Sequence, residues 1–136
     1  LVLAELTEAA EIRVVSGKTF VLKRGFYGYV GSALSGLERR VARHLSNCKK
    51  RRWHIDYLLC VAVVRSVICA ESGKNAECLI AQALSQGLLP IAGFGCSDCK
   101  CTSHLFFSQD FMTLRACALD AFRRNGLDPF FVTGSK

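Results

Sequence analysis

The glycine-rich segment at residues 25–31 constrains the fold of this chain more than any other part of the sequence. It reads Gly-Phe-Tyr-Gly-Tyr-Val-Gly, so three glycines surround two tyrosines. Side chains at positions i and i+2 of an extended strand point to the same face, which places Tyr27 and Tyr29 together. Glycine also lets another group approach the backbone closely. The segment therefore predicts a strand that presents two phenol hydroxyls on one surface.

Patterns on both sides of this strand predict an α/β fold of the α+β kind. β-Branched runs at 12–15 and 19–22, separated by Ser16-Gly17-Lys18, predict a β-hairpin. Apolar residues with a helical period at 37, 41 and 45 predict a helix. Downstream we expect a buried strand at 60–69, a helix at 76–86, a short strand at 104–108, a helix at 110–125 and a tail that docks Phe130 and Phe131. The prediction is a single domain over residues 1–136, with a small, mainly antiparallel sheet flanked by helices.

Positive charge is concentrated directly after the tyrosine strand. The net charge is +7, and seven of the eighteen basic residues fall within fourteen positions: Arg39, Arg40, Arg43, Lys49, Lys50, Arg51 and Arg52. Such a density favours a polyanion as the partner, and nucleic acid is the natural candidate. A solvated helix face followed by a basic loop is the alternative interpretation.

The distribution of apolar residues predicts no membrane partner, because no window reaches the ~20 uninterrupted apolar residues that a bilayer span needs. The apolar start of the chain has no basic flank and is followed by Glu5, Glu8 and Glu11, which is not typical of a secretory signal. We therefore expect a cytoplasmic protein in a reducing environment. The sequence indicates no particular protein partner.

Cysteine usage agrees with that expectation. The chain has eight cysteines, most of them in apolar or helical surroundings, where cysteine behaves as a small hydrophobic residue. Cys96, Cys99, Cys101 and His104 form one dense group that offers four zinc ligands. A second separated pair of ligands, which makes such spacing specific for zinc, is missing. A thiol-rich turn is the favoured interpretation, and a zinc site is the alternative.

Glu77 is the carboxylate that we single out. It lies three residues before Ile80 and seven before Leu84, at the edge of the apolar stripe of its predicted helix. We therefore expect it to be turned partly toward the protein body. A first-turn glutamate favoured by the helix dipole, worth about 0.3–1 kcal/mol, is the structural alternative.

The order of tyrosine pair, arginine helix and later glutamate resembles the GIY-YIG nuclease superfamily. Five blocks, at 28–33, 40–45, 53–58, 77–78 and 93–105, resemble its Uri-type endonuclease branch, which is prokaryotic and mainly archaeal. By this resemblance Tyr27 and Tyr29 are the tyrosines of the two motifs, and Glu77 is the metal-binding glutamate. A hairpin turn separates the motifs in most relatives, whereas here they abut, so the resemblance leaves open which tyrosine faces the attacking water.

The resemblance implies a metal-dependent endonuclease that hydrolyses nucleic acid. DNA is the favoured substrate, composition leaves RNA open, and selectivity for structure rather than for sequence is expected. Glu77 would hold one Mg²⁺ or Mn²⁺, and Arg40 would bind the phosphate. His44 and His54 are further candidates for proton transfer or structural histidines. The other six basic residues of the segment 39–52 would bind the phosphate backbone: Arg39, Arg43, Lys49, Lys50, Arg51 and Arg52. A binding module of the same fold without catalysis is the first alternative, and a zinc-binding structural protein is the second.

Overall fold

The computed structural model describes residues 1–14, 17–31, 54–70, 76–94 and 103–132. In chain order the elements are β1 (Val2–Leu6), β2 (Ala10–Arg13), β3 (Thr19–Leu22), β4 (Gly25–Tyr29), α1 (His54–Leu58), β5 (Val63–Cys69), α2 (Ala76–Leu84), β6 (Leu89–Pro90), β7 (Leu105–Ser108), α3 (Phe111–Arg124) and β8 (Phe130–Val132). The helix predicted at 37–45 lies outside the described residues. No described helix has the length and apolar character needed to cross a membrane.

Six strands form one sheet in the order β6-β7-β4-β1-β5-β8, and each neighbouring pair is antiparallel. β2 and β3 form a separate antiparallel hairpin, as the β-branched runs predict. The α+β class with a mainly antiparallel sheet is therefore confirmed.

The central strand, β1, is absent from the sequence-based prediction. It lies between β4 and β5, and four of its five residues are buried. Both of its faces are covered, so it lacks the alternation of apolar and polar residues that marks a half-exposed strand. Its opening apolar residues therefore form the middle of the sheet.

One face of the six-stranded sheet, which we call the helix face, bears Leu3, Gly28 and Phe106. These residues are neighbours because Leu3 lies opposite Gly28 on β4, and Gly28 lies opposite Phe106 on β7. α2 and α3 cover this face. The buried side chains that they contribute are mainly aliphatic: Ile80, Ala81, Leu84, Leu114, Ala118, Ala121 and Phe122.

The opposite face, which we call the hairpin face, bears Tyr27 and Phe107, which lie opposite one another on β4 and β7. The β2–β3 hairpin and α1 supply the side chains that bury it. Its core contains Leu6, Ile12, Val14, Phe20, Leu22, Ile55, Leu58, Phe94 and Leu105 in addition to these two aromatic residues. Gly25 adopts φ +152, and a Cβ at this position would overlap the Phe107 ring, so the entry to β4 requires glycine.

Local signals place α3 correctly, in contrast to β1. The prediction of 110–125 matches Phe111–Arg124 with Asp110 as N-cap and Asn125 as C-cap. The Asp110 carboxylate accepts hydrogen bonds from the Thr113 backbone N–H at 3.0 Å and from its hydroxyl at 2.7 Å. Because one side chain provides this N-cap, the start of α3 can be predicted from the sequence alone.

Two strands depart from the prediction in extent. β5 begins at Val63 rather than Cys60, and its first four residues are exposed or half-buried, so only Val67–Cys69 forms the expected buried strand. The C-terminal tail does dock, since Phe131 lies opposite Ile68 in the β5–β8 pair. The docking occurs through backbone pairing, and the Phe130 and Phe131 side chains remain exposed.

Candidate functional site

The carboxyl end of β4 and the amino end of β7 meet at one end of the sheet, which we call the site end. Tyr29 lies opposite Leu105 there. Just beyond, the Val30 backbone N–H donates to the His104 carbonyl at 2.9 Å, and the His104 N–H donates to the Phe94 carbonyl at 2.9 Å. The described part of this stretch ends at Gly31, and the arginine-rich part of the sequence begins eight residues later, at Arg39.

Glu77 and His104 come together at the site end on the helix-face side. Glu77 lies in the first turn of α2, and its Oε2 is 3.6 Å from His104 Nδ1. The His104 side chain is 3% exposed, whereas the Glu77 side chain is 32% exposed. Burial lowers the pKa of His104, and the negative charge of Glu77 acts in the opposite direction. The imidazole is thus biased toward its neutral form while the carboxylate reaches solvent.

Sequence reasoning missed this pairing, because it considered His104 only as a fourth zinc ligand. A partial signal was present. Glu77 is predicted to turn toward the protein body, and His104 shares the strand parity of Phe106, which lies on the helix face. The sequence did not show that the first turn of α2 approaches His104.

Tyr27 is held inside the hairpin face. Its side chain is 1% exposed, and its hydroxyl donates a 2.6 Å hydrogen bond to the Lys23 carbonyl. The ring packs against Phe107 with centroids 5.2 Å apart. Burial raises the pKa of Tyr27 to about 12. A group that activates water needs a lowered pKa, so this environment acts against such a role.

Tyr29 lies on the same face but nearer the site end, as the spacing of the two tyrosines predicts. It is half-buried, and its ring meets Phe94 edge to face with centroids 6.2 Å apart. A Cβ at Gly31 would lie 3.1 Å from Tyr29 Cε2, so glycine at this position lets the ring lean toward the end of the sheet. Tyr29 is therefore the more accessible of the two phenols.

The structure thus divides the predicted site residues between two faces. Tyr27 and Tyr29 lie on the hairpin face, and Glu77 lies on the helix-face side. His54 begins α1, but its side chain is outside the described residues. The other predicted residues also lie outside them: Arg39, Arg40, Arg43, His44, Lys49, Lys50, Arg51, Arg52, Cys96, Cys99 and Cys101.

The cation expected at Glu77 is compatible with this arrangement. Among the described residues, no group of three or more His, Cys, Asp and Glu side chains is placed to hold a metal ion. Mg²⁺ does not need such a group, because it keeps several waters and is often bound by one or two carboxylates together with substrate phosphates. The partly exposed carboxylate of Glu77 fits that mode of binding.

Comparison with known proteins gives one match. A family model described as a domain of unknown function, DUF123, covers residues 1–127. A search of curated proteins and a search of solved structures each found no match. The matched range includes both tyrosines, Glu77 and His104.

Proposed function

The chain belongs to the DUF123 family, and we propose that it is a metal-dependent endonuclease of the GIY-YIG type. The observation that carries the proposal is the partly exposed Glu77 carboxylate beside buried His104, at the end of the sheet where β4 ends. The five sequence blocks that resemble Uri-type endonucleases support it. So does the net charge of +7.

Glu77 is the residue that would hold the divalent cation, Mg²⁺ or Mn²⁺. When bound, such a cation stabilises the negative charge that develops on the phosphate and on the leaving oxygen. Arg40 would bind a phosphate oxygen through its planar guanidinium group, in line with the family resemblance. Together these groups bind and orient the scissile phosphodiester.

We assign the water-orienting role to Tyr29. The hydroxyl of Tyr27 donates to the Lys23 carbonyl, and burial raises the pKa of Tyr27 to about 12. The ring of Tyr29 lies beside Gly31, nearer the site end. The hydroxyl of Tyr29 would position the attacking water and take part in proton transfer, with His44 or His54 as a second proton carrier. Tyr27 then supports the strand from which Tyr29 projects.

The proposed substrate is DNA with an irregular or branched structure. The six basic residues other than Arg40 in the segment 39–52 would contact phosphates, and phosphate contacts set position without reading sequence. Selectivity would then come from the shape of the substrate. Strong dependence of binding on salt concentration is the expected signature of such contacts.

The test is a cleavage panel with mapped product ends, on single-stranded, duplex, flap and branched DNA, with matched RNA, in Mg²⁺ and in Mn²⁺. Glu77→Gln is expected to lower the cleavage rate by about 10³-fold, because it removes the charged ligand of the cation. Glu8→Gln, which removes the same charge at an exposed position, is the control and should cleave normally. Arg40→Ala should also cleave more slowly than the wild type, because it removes the guanidinium group proposed to bind the phosphate.

Two outcomes would contradict the proposal. If Glu77→Gln cleaves as fast as the wild type, the site assignment is wrong. If the wild type binds every substrate and cleaves none, the chain is a nucleic-acid-binding module of this fold.

A further inference from the structure

We propose that His104 is a positioning residue that holds the Glu77 carboxylate in the orientation that binds a divalent cation. In this arrangement the Nδ1–H of the imidazole would donate to one carboxylate oxygen and leave the other oxygen available to hold the cation. That the bound cation acts in cleavage rests on the proposed function. Cation binding itself can be measured without cleavage.

The difference in exposure assigns the two roles. Glu77 is 32% exposed and His104 is 3% exposed, so a cation arriving from solvent meets the carboxylate first and the imidazole lies behind it. A metal-binding carboxylate is itself commonly held by a hydrogen bond from a group that does not touch the metal. The same burial argues against His104 as a direct ligand, because the imidazole has almost no open surface.

The backbone around His104 makes a rigid support. Its N–H and carbonyl are both engaged, with Phe94 and with Val30, at 2.9 Å each. The preceding Ser103 is also buried, and its hydroxyl accepts from the Leu105 N–H at 2.9 Å and donates to the Leu105 carbonyl at 3.0 Å. The Glu77 carboxylate, in contrast, is at the end of a long side chain that must lose rotamer freedom when it binds a cation. A fixed partner lowers that entropic cost.

The separation of 3.6 Å between Nδ1 and Oε2 is longer than a hydrogen bond. Contacts in a functional site often shorten when the ligand binds. The distance therefore fits a pair that is poised to form its hydrogen bond upon cation binding.

The experiment measures Mn²⁺ affinity by titration, with no nucleic acid present. His104→Asn keeps an N–H donor close to the position of Nδ1, whereas His104→Gln moves its amide toward the position of Nε2. Both variants are polar and similar in size, so they differ chiefly in where the donor lies. We expect His104→Asn to bind Mn²⁺ nearly as well as the wild type, and His104→Gln and His104→Leu to bind about 10–100-fold more weakly. Glu77→Gln should abolish binding, and Glu8→Gln should not affect it.

Thermal unfolding without metal establishes that each variant is folded, and electron spin-echo spectroscopy of bound Mn²⁺ reports any directly coordinated nitrogen. Equal affinity in the wild type and His104→Gln would overturn the inference, as would equal losses in His104→Asn and His104→Gln. A nitrogen ligand in wild-type spectra, or no Mn²⁺ binding by the wild type, would also overturn it. If the affinities follow the expected order but no nucleic acid is cleaved, this inference stands and the proposed function fails.

Discussion

The two faces of the six-stranded sheet are stabilised by different kinds of side chain. The core on the helix face is mostly aliphatic, and more than half of its buried residues come from α2 and α3. The core on the hairpin face is rich in aromatic rings, with Phe20 and Phe94 at 5.0 Å and Tyr27 and Phe107 at 5.2 Å between centroids. Lysine ammonium groups extend this aromatic packing, since Lys23 Nζ lies 5.1 Å from the Phe107 centroid.

The difference explains why one predicted site residue is enclosed whereas another reaches solvent. On the hairpin face the aromatic packing encloses Tyr27 completely, and its hydroxyl is satisfied by the backbone two residues before the strand. On the helix-face side, the first turn of α2 lies at the edge of the core, so Glu77 keeps part of its carboxylate in solvent.

The largest expected effect is the loss of stability when Leu114, in the core of the helix face, is truncated. This residue is fully buried, and its Cδ1 lies 3.1 Å from where a Cβ of Gly28 would be, so it fills the space that the glycine leaves. Leu114→Ala should lower the free energy of unfolding by about 2–5 kcal/mol, because it opens a cavity between α3 and β4. Chemical denaturation measures the change.

Met112→Ala on the same helix is the matched control. Met112 is 60% exposed, so its truncation should change the free energy of unfolding by less than about 0.5 kcal/mol. If both variants lose the same amount, the helix face is not the tightly packed layer described above.

The next effect separates the two tyrosines of the hairpin face. Tyr29→Phe should lower the cleavage rate by about 10²-fold with little loss of stability, because it removes the hydroxyl proposed to act on water. Tyr27→Phe should leave the rate within about threefold of the wild type but lower the free energy of unfolding by about 1 kcal/mol, since one buried hydrogen bond is lost. Rates and denaturation curves of both variants provide the check. A loss of rate in Tyr27→Phe alone would reverse the assignment.

The smallest effect concerns the start of α3 on the helix face. Hydrogen bonds from the Thr113 hydroxyl and backbone N–H lower the pKa of Asp110 below its usual value. A group with a lowered pKa in the folded state adds stability above its unfolded pKa, and that stability is lost as the pH falls through the folded pKa. Asp110→Asn still caps the helix but does not titrate.

We therefore expect the melting temperature of Asp110→Asn to fall less than that of the wild type on acidification from about pH 5 to about pH 2. Asp128→Asn, at another exposed position, removes the same charge without touching a cap and should follow the wild type. Identical acid profiles for all three proteins would show that the ionisation of Asp110 does not contribute to the stability of the fold.

Much of the fold could be predicted because its signals are local. The β2–β3 hairpin follows from two β-branched runs around a glycine turn, and the bounds of α3 follow from its period and from Asp110 as N-cap. β1 and β8 could not be predicted in this way. Each is defined by its partner strands, and neither has a local pattern that distinguishes it from a loop or a tail.

The candidate site shows the same division. Strand periodicity was sufficient to place Tyr27 and Tyr29 on one face, and helical periodicity was sufficient to turn Glu77 toward the protein. Periodicity says nothing about how deep a side chain lies along its face. The enclosure of Tyr27 depends on Phe107 and on the Lys23 carbonyl, which reach it only once the chain has folded.

The sequence by itself determined which residues alternate along β4, where α3 begins and ends, and where positive charge lies along the chain, because each of these depends on near neighbours in the sequence. Only the tertiary structure decided that β1 is the centre of the sheet, that Tyr27 is buried whereas Tyr29 is half-buried, and that His104 lies behind Glu77. The physical reason is that burial and pairing between distant segments depend on how whole elements pack, which no local pattern encodes.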